Sequence, residues 1–255
     1  MTLKELDKYF REFLKPENYA GDPSRNGIQI SNSGVDLKQI KKIAFAVDAC
    51  VETAEKASSL GADLLFVHHG LFWGDCQTLT GSFYERISSF MKNDLALYAM
   101  HIPLDANNPY GNNYGLASRL NLSKTEGFGS WRGMTIGVKG ILENPLTVDE
   151  LAKKVLNPGE KSLAILPFGK NQIKTVGIIS GGACEDVDQA IEEGLDAFIT
   201  GEINHEIYHY VKENKINMIC GGHYQTETVG VNLVREKVEK ELGIETVFVD
   251  IPTNL

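Results

Sequence analysis

The sequence predicts an α/β protein made of two βαβ-containing halves, with parallel or mixed sheets and flanking helices. Two observations carry this. Residues 43–67 run strand, helix, strand at the short spacing of a parallel βαβ unit, and residues 174–203 repeat the pattern in the last third. The composition agrees: 255 residues at 42% hydrophobic and 23% charged can bury a sizeable core. Intrinsic disorder and collagen-like structure are excluded. At about 150 residues per domain, the length suits one large domain or two modest ones. The expected segments are a first α/β half at 1–120, an irregular α+β middle at 121–173 and a second α/β half at 174–255.

Thr2-x-x-Glu5 has the form of a capping box, and Leu3, Leu6, Phe10, Phe13 and Leu14 recur at helical spacing. An amphipathic helix ending near Pro16 follows. After a turn-rich stretch at 21–27, Ile28 and Ile30 suggest a short strand. The apolar run at 43–47 is a strand and 51–60 a helix that Gly61 ends. Residues 63–67 then form a second, buried strand. Residues 84–93 read as helix, 96–100 as strand, 107–115 as a Gly/Asn-rich loop and 115–120 as a short helix. In the middle, strands at 134–138 and 163–166 flank a helix at 147–156 capped by Thr147. Laid over one another without a gap, 41–70 and 174–203 share Lys41/Lys174, Glu52/Glu185, Ala57/Ala190, Gly61/Gly194 and Asp63/Asp196. His101-x-x-x-Asp105 and His223-x-x-x-Glu227 echo each other in the same way, each just past a predicted strand. An internal duplication would bring the two motifs together across a pseudo-twofold axis; the alternative is that any two βαβ units look alike.

The formal charge of −9, from 25 basic and 34 acidic residues, disfavours nucleic acid and anionic membrane surfaces as partners. No signal-peptide pattern opens the chain, and no apolar run approaches the ~18 residues of a membrane span. Cys50, Cys76, Cys184 and Cys220 form no Cys-x-x-Cys pair, so a reducing cytoplasm is the expected compartment.

The six histidines occupy four places: His68-His69, His101, His205 with His209, and His223. His68-His69 stands at the C-terminal end of a predicted parallel strand, where open α/β sheets place ligands. Adjacent side chains on extended backbone point to opposite sides, so the pair is expected to serve different ions or faces. Pro103 argues against helix at 101–105, making that motif a loop. His223 and Glu227 stand one turn apart at the start of a helical pattern, where an ion pair or cap is the bland alternative. Together, imidazole and carboxylate from three strand ends suit Zn²⁺, Mn²⁺ or Fe²⁺, and five ligands with a bridging carboxylate suit two ions. Glu202 and His205 follow the second repeat's strand, with Glu202 a candidate proton acceptor. Phe72, Trp73, Tyr208 and Tyr224 are stacking or packing residues. Ser180-Gly-Gly-Ala183 is a tight turn first and an anion site second.

The chain resembles the Nif-three-like (NGG-one-interacting factor three-like) family, whose bacterial members carry the label of GTP cyclohydrolase I type 2 homologues. The resemblance lies in Asn26-Gly-Ile-Gln29, Ala46-Val-Asp48, Val67-His-His-Gly70, His101-x-x-Leu-Asp105, Thr200-Gly-Glu202, Gly222-His-Tyr-x-Thr-Glu227 and Phe248-Val-Asp-Ile-Pro252. They stand in the family's order over nearly the whole chain. It implies the Nif-three-like fold and a dinuclear centre of His68, His69, Asp105, His223 and a bridging Glu227. One ion would take His69 and Asp105, the other His68 and His223, with His101 a neighbour or occasional ligand. It further implies a ring-shaped homohexamer, a trimer of dimers.

The expected function is a metal-dependent hydrolase with two divalent ions per chain, Zn, Mn, Fe or Mg. Activated water would attack a small-molecule substrate, a purine nucleotide ring or a phosphoester, with Glu202 or His101 assisting proton transfer. The rival expectation is a non-catalytic metal-binding ring that serves as a scaffold for protein partners.

Overall fold

Short apolar runs alternating with helices give two open sheets, one in each of two compact units. The computed structural model describes residues 1–255. One unit comprises residues 1–104 and 231–251, the other 105–230 and 252–255.

The first unit opens with helix α1 (Leu3–Leu14), whose capping box forms as the sequence predicts. The Glu5 N–H donates to Thr2 Oγ1 at 3.3 Å, and the Thr2 N–H donates to the Glu5 carboxylate at 2.8 Å. Strand β1 (Gly27–Ile30) follows, then β2 (Lys42–Asp48), α2 (Val51–Ser59), β3 (Leu64–His69), α3 (Gly81–Lys92), β4 (Ala96–Ala99) and the single turn α4 (Ile102–Asp105). The chain's last strand, β11 (Glu245–Phe248), completes a sheet of order β1-β4-β3-β2-β11. All neighbours are parallel except β1, which runs antiparallel to β4.

Period-two alternation divides the buried side chains between the faces of this sheet. Phe66 and Tyr98 meet Phe10 of α1, each ring 4.9 Å from that of Phe10, and Phe45 packs on Phe66 at 5.2 Å. Ala44, Ala46, Leu65, Val67 and Leu97 instead join a cluster with Ala54, Ala57, Ile87 and Phe90, from α2 and α3. Small residues on this second face let two helices approach the sheet. Position 101–105 differs from the expected loop: α4 is helical despite Pro103. A proline in the first turn of a helix forfeits only an N–H that has no intrahelical partner anyway.

The second unit contains α5 (Asn112–Arg119), β5 (Ser123–Trp131), β6 (Met134–Leu146), α6 (Val148–Val155), β7 (Ala164–Pro167) and β8 (Ile173–Ile178). It continues with α7 (Val187–Glu192), β9 (Ala197–Thr200), α8 (Ile207–Asn214), β10 (Asn217–Cys220) and the start of α9 (His223–Leu242). Its sheet has the order β5-β6-β8-β9-β10-β7. The middle segment is more regular than its sequence suggests, because β5 and β6 form a long hairpin. Its two-residue turn places Arg132 and Gly133 both at positive φ, as a primed turn requires. Strand β5 is exposed over its first five residues and so lacks the apolar alternation that would announce it. No helix of either unit is long and apolar enough to cross a membrane.

Four strands follow one plan in both units. The order β1-β4-β3-β2 matches β7-β10-β9-β8, with three parallel strands and one antiparallel outside them. The same aspartate device recurs as well. Asp63 accepts from the N–H groups of Lys41 and Lys42, and Asp196 from those of Lys174 and Thr175. Each carboxylate ties the start of one strand to the start of its neighbour. This likeness is one of architecture and is separate from descent by duplication.

Asp196 is buried and also takes Lys170 Nζ at 2.6 Å. Burial pushes its carboxyl up, but Lys170 and the two backbone donors outweigh that and hold it below the usual carboxylate range. Its stabilisation is therefore present above the unfolded carboxyl value of about 3.9 and lost as pH falls through the lower folded value. Asp196→Ala is expected to cost about 2–3 kcal/mol at neutral pH in urea unfolding. The gap to the parent protein should narrow below about pH 4; a gap that stayed constant with pH would show the carboxylate's charge to be idle.

Candidate metal centre

In a parallel sheet the C-terminal strand ends form the edge where ligands gather. In the first unit β3 lies between β4 and β2, and its last two residues are His68 and His69. The two rings lean toward opposite neighbours. His68, fully buried, places Nδ1 3.1 Å from the Met100 carbonyl just past β4. His69 places Nδ1 2.8 Å from Asp48 Oδ1 at the end of β2. His101 likewise sets Nδ1 2.9 Å from Asp22 Oδ1.

Asp22 is itself tightly held. Its carboxylate accepts from Asn26 Nδ2 and from the N–H groups of Ser24 and Ile102. Burial raises its proton affinity, but the hydrogen bond and charge of His101, with the other donors, leave it below the usual range.

Although the two adjacent rings lean toward opposite strands, His68, His69 and His101 bring ligand atoms within 4.8 Å of one another. Their ring centroids are 4.5, 5.1 and 5.8 Å apart. Strand alternation governs where a Cβ points; at a strand end the rings extend past the sheet, and their Nδ1 partners set the orientation. A carbonyl or carboxylate oxygen accepts, so Nδ1 carries the hydrogen and a neutral ring keeps its lone pair on Nε2. Outer partners of metal-binding histidines impose this same tautomer.

The second unit holds the other carboxylates. Asp105 is buried, and its Oδ1 accepts from Asn112 Nδ2 at 2.8 Å and Ser180 Oγ at 3.0 Å. His223 opens α9 and meets Glu227, one turn on and 3% exposed, at 3.1 Å. On its other side His223 Nδ1 lies 2.5 Å from Glu202 Oε1, just past β9. Burial works against a charged His223, but hydrogen bonds and charge from Glu227 and Glu202 outweigh it and raise the ring to about 9.

The Ser180-Gly-Gly turn fits around this pair. Gly181 has φ +68°, and a Cβ there would stand 2.2 Å from Glu227 Oε1 and 3.1 Å from His223 Nε2. Only glycine leaves room for both groups. The turn's N–H groups at 180, 181 and 183 go to Asn113, Thr226 and Thr200, which makes it a tight turn that spends them internally.

The structure thus gathers His68, His69 and His101 in the first unit and His223, Glu227 and Glu202 in the second, where Asp105 is fixed separately by Asn112 and Ser180. His205 and His209 are exposed and join no such group. Phe72 packs edge-on to Phe83, and Tyr224 is buried, while Trp73 meets His101 edge-on at 4.8 Å. Asp22 had no signal in the sequence beyond a turn, since Asp-Pro-Ser is ordinary turn chemistry and Asp22 does accept from the Ser24 N–H. The candidate donors are the carboxylates of Asp105 and Glu227 and the imidazoles of His68, His69, His101 and His223, hard oxygen and borderline nitrogen that fit first-row divalent ions.

The family model for Duf34/NIF3 (NGG1p interacting factor 3) matches residues 1–254. A Treponema pallidum protein named GTP cyclohydrolase 1 type 2 homolog is 42% identical over 289 residues, covering all of both chains. An Archaeoglobus fulgidus protein of the same name is 41% identical over 255 residues, again covering both fully. The solved structure of TTHA1606 from Thermus thermophilus superposes with a TM-score of 0.88 at 32% identity and covers both chains fully.

Proposed function

The chain belongs to the Duf34/NIF3 family, and from that premise we propose that it is a metal-dependent hydrolase with two divalent ions per chain. His68, His69, Asp105, His223 and Glu227 would hold the ions, with Glu227 bridging. The observation that carries this reading is the backing of every candidate imidazole. His68, His69, His101 and His223 each set Nδ1 on an acceptor, namely Met100 O, Asp48, Asp22 and Glu202. Chance packing gives no reason for four rings to share one orientation, whereas metal ligation does. Bound divalent ions supply Lewis acidity and lower the pKa of a coordinated water, which suits hydrolysis.

The chain's own residues have separable tasks. Asn112 and Ser180 orient Asp105. Asp48 and Asp22 fix His69 and His101 in one tautomer. Glu202, which the sequence offers as a proton acceptor, holds Nδ1 of His223, so we assign it first as a positioning residue. His101 stands within reach of His68 and His69 as a proton carrier or additional ligand. The relatives' name points to a purine nucleotide as substrate, and a ring-shaped homohexamer is the assembly the resemblance supports.

Metal-stripped protein reconstituted with Zn²⁺ or Mn²⁺ is expected to retain two ions per chain by elemental analysis. It should then turn over GTP or one of a panel of phosphoesters. Fewer than one ion per chain would defeat the dinuclear reading; two ions with no turnover on any substrate would favour a scaffold. Since imidazole ligands must be neutral and the His223 ring is raised to about 9, occupancy should fall progressively as pH is lowered below about 9.

A further inference from the structure

The segment Asn26-Gly-Ile-Gln29 has no task in the chemistry proposed so far, yet it lies beside the first unit's histidines. Strand β1 runs antiparallel to β4, with Gly27 opposite Ala99. An antiparallel strand begins where its parallel neighbours end, so Asn26 stands at the edge that carries His101. Both ends of its amide reach across. Asn26 Oδ1 accepts from the His101 N–H at 2.8 Å, and Nδ2 donates to Asp22 Oδ2 at 2.8 Å. Asp22 Oδ2 also takes the Ile102 N–H, while its Oδ1 faces His101 Nδ1. One turn thus grips the backbone at 101 and 102 together with the His101 ring. The grip is braced from α1. Arg11 Nη2 donates to the Asn26 carbonyl at 3.3 Å, and Arg11 Nε and the Tyr98 hydroxyl both donate to Asp7 Oδ1. Gly27 leaves room for that arginine, since its φ is +116° and a Cβ there would stand 2.5 Å from Arg11 Nη2.

Gln29 acts on the other side of His101. The chain leaving His69 passes close to β4, where a Cβ at Gly70 would stand 2.6 Å from that of Ala99. Gln29 Oε1 accepts from the N–H groups of Leu71 and Phe72 at 2.7 and 3.2 Å, and Nε2 donates to the Arg25 carbonyl at 3.0 Å. The Arg25 N–H donates to the Phe72 carbonyl and the Gly74 N–H to the Pro23 carbonyl, which ties this loop to the Asp22 turn. The loop carries Trp73, whose indole N–H is anchored on the Gly70 carbonyl at 2.8 Å and whose ring meets His101 edge-on at 4.8 Å. We propose that Asn26 and Gln29 are positioning residues for His101. Asn26 fixes its backbone and, through Asp22, its tautomer; Gln29 fixes the Trp73 ring against which the imidazole rests. An amide suits both tasks because it donates at one end, accepts at the other and brings no charge to compete with Asp22 for the imidazole. Packing alone would ask only for groups of the right volume at 26 and 29. The inference rests on the proposed function for what His101 then does, as proton carrier or additional ligand.

The test uses the full, metal-stripped chain in alkaline buffer, where long-range proton–nitrogen NMR shows which ring nitrogen of each histidine carries the hydrogen. The parent should show His68, His69 and His101 with the hydrogen on Nδ1. In Asn26→Ala the His101 signals are expected to move to an average of the two tautomers, with His68 and His69 unchanged. Asn26→Ser, too short to span both partners, should do the same and serves if the alanine variant does not fold. Gln29→Ala should keep the His101 tautomer but remove most of the ring-current shift on its ring protons, the full shift being the difference between the parent and Trp73→Leu. Gln29→Glu retains the acceptor for Leu71 and Phe72 and should restore most of that shift. A merely structural role would lower the melting temperature and leave the His101 signals in place. Unchanged His101 signals in the variants of either residue overturn the role given to that residue, and tautomer averaging in all three histidines overturns the proposal as a whole. Ion titration of the same preparations keeps the two readings apart. A lost His101 tautomer in a chain whose parent binds fewer than one ion sustains the positioning role and defeats the dinuclear reading; two bound ions with unchanged His101 signals do the reverse.

Discussion

Glu227→Ala is expected to lower divalent-ion affinity by about a hundredfold or more in calorimetric titration with Zn²⁺ or Mn²⁺, an effect at or above the upper end for losing an outer partner. Glu227 would help to hold the ions in the proposed centre and is almost fully buried against His223. Glu202→Gln should cost only about tenfold, because it weakens the orientation of one ligand without removing a donor. Parent-like affinity in Glu227→Ala would sink the dinuclear proposal, and equal losses in both variants would sink the distinction between ligand and positioning residue.

The same variant has a readout in the metal-free chain. Glu227 and Glu202 together raise His223 from 6.5 to about 9. A raised histidine pKa stabilises the fold below about pH 6.5, and the contribution is lost as pH rises through about 9. Without Glu227 the His223 ring should titrate lower in NMR, and this pH dependence of stability should shrink.

The second large effect belongs to backbone packing. Gly201→Ala is expected to destabilise the protein by about 3 kcal/mol, the upper end for overpacking. A Cβ at position 201 would stand 2.7 Å from the Gly181 carbonyl and 2.7 Å from His223 Cα. These are backbone atoms tied by hydrogen bonds from Gly201 to Gly181 and from Gly222 to Gly201. Neither neighbour can yield without displacing His223, so ion affinity should fall along with stability. At Gly182 the nearest obstacle is the end of the Glu202 side chain, at 3.3 Å, which can swing away. Gly182→Ala should therefore cost under about 1 kcal/mol. Equal urea midpoints for the two variants would show that the approach at Gly201 is not tight.

Much of the architecture was legible because it is local. The capping box at Thr2, the cap at Thr147, the buried strands at 43–47 and 63–67, and the glycine that ends α2 each declare themselves within a few residues. The metal-site candidates could be named because histidine and carboxylate at strand ends are chemically conspicuous. Strand β5 was missed because an exposed hairpin strand carries no apolar alternation, and α4 because proline's penalty does not apply in a first turn.

The sequence by itself determined that this is an α/β chain with candidate ligating residues at and just after its strand ends, since both follow from short-range pattern and side-chain chemistry. Only the tertiary structure decided how those residues are held. Asp22 reaches His101 and Glu202 reaches His223 across stretches of chain that no local pattern connects. The three first-unit histidines converge because the Met100 carbonyl, Asp48 and the loop residue Asp22 supply partners to their Nδ1 atoms, and Glu227 finds space because the turn against it is glycine. Ligand identity resides in side-chain chemistry, while tautomer, orientation and clearance arise from contacts between residues distant in sequence.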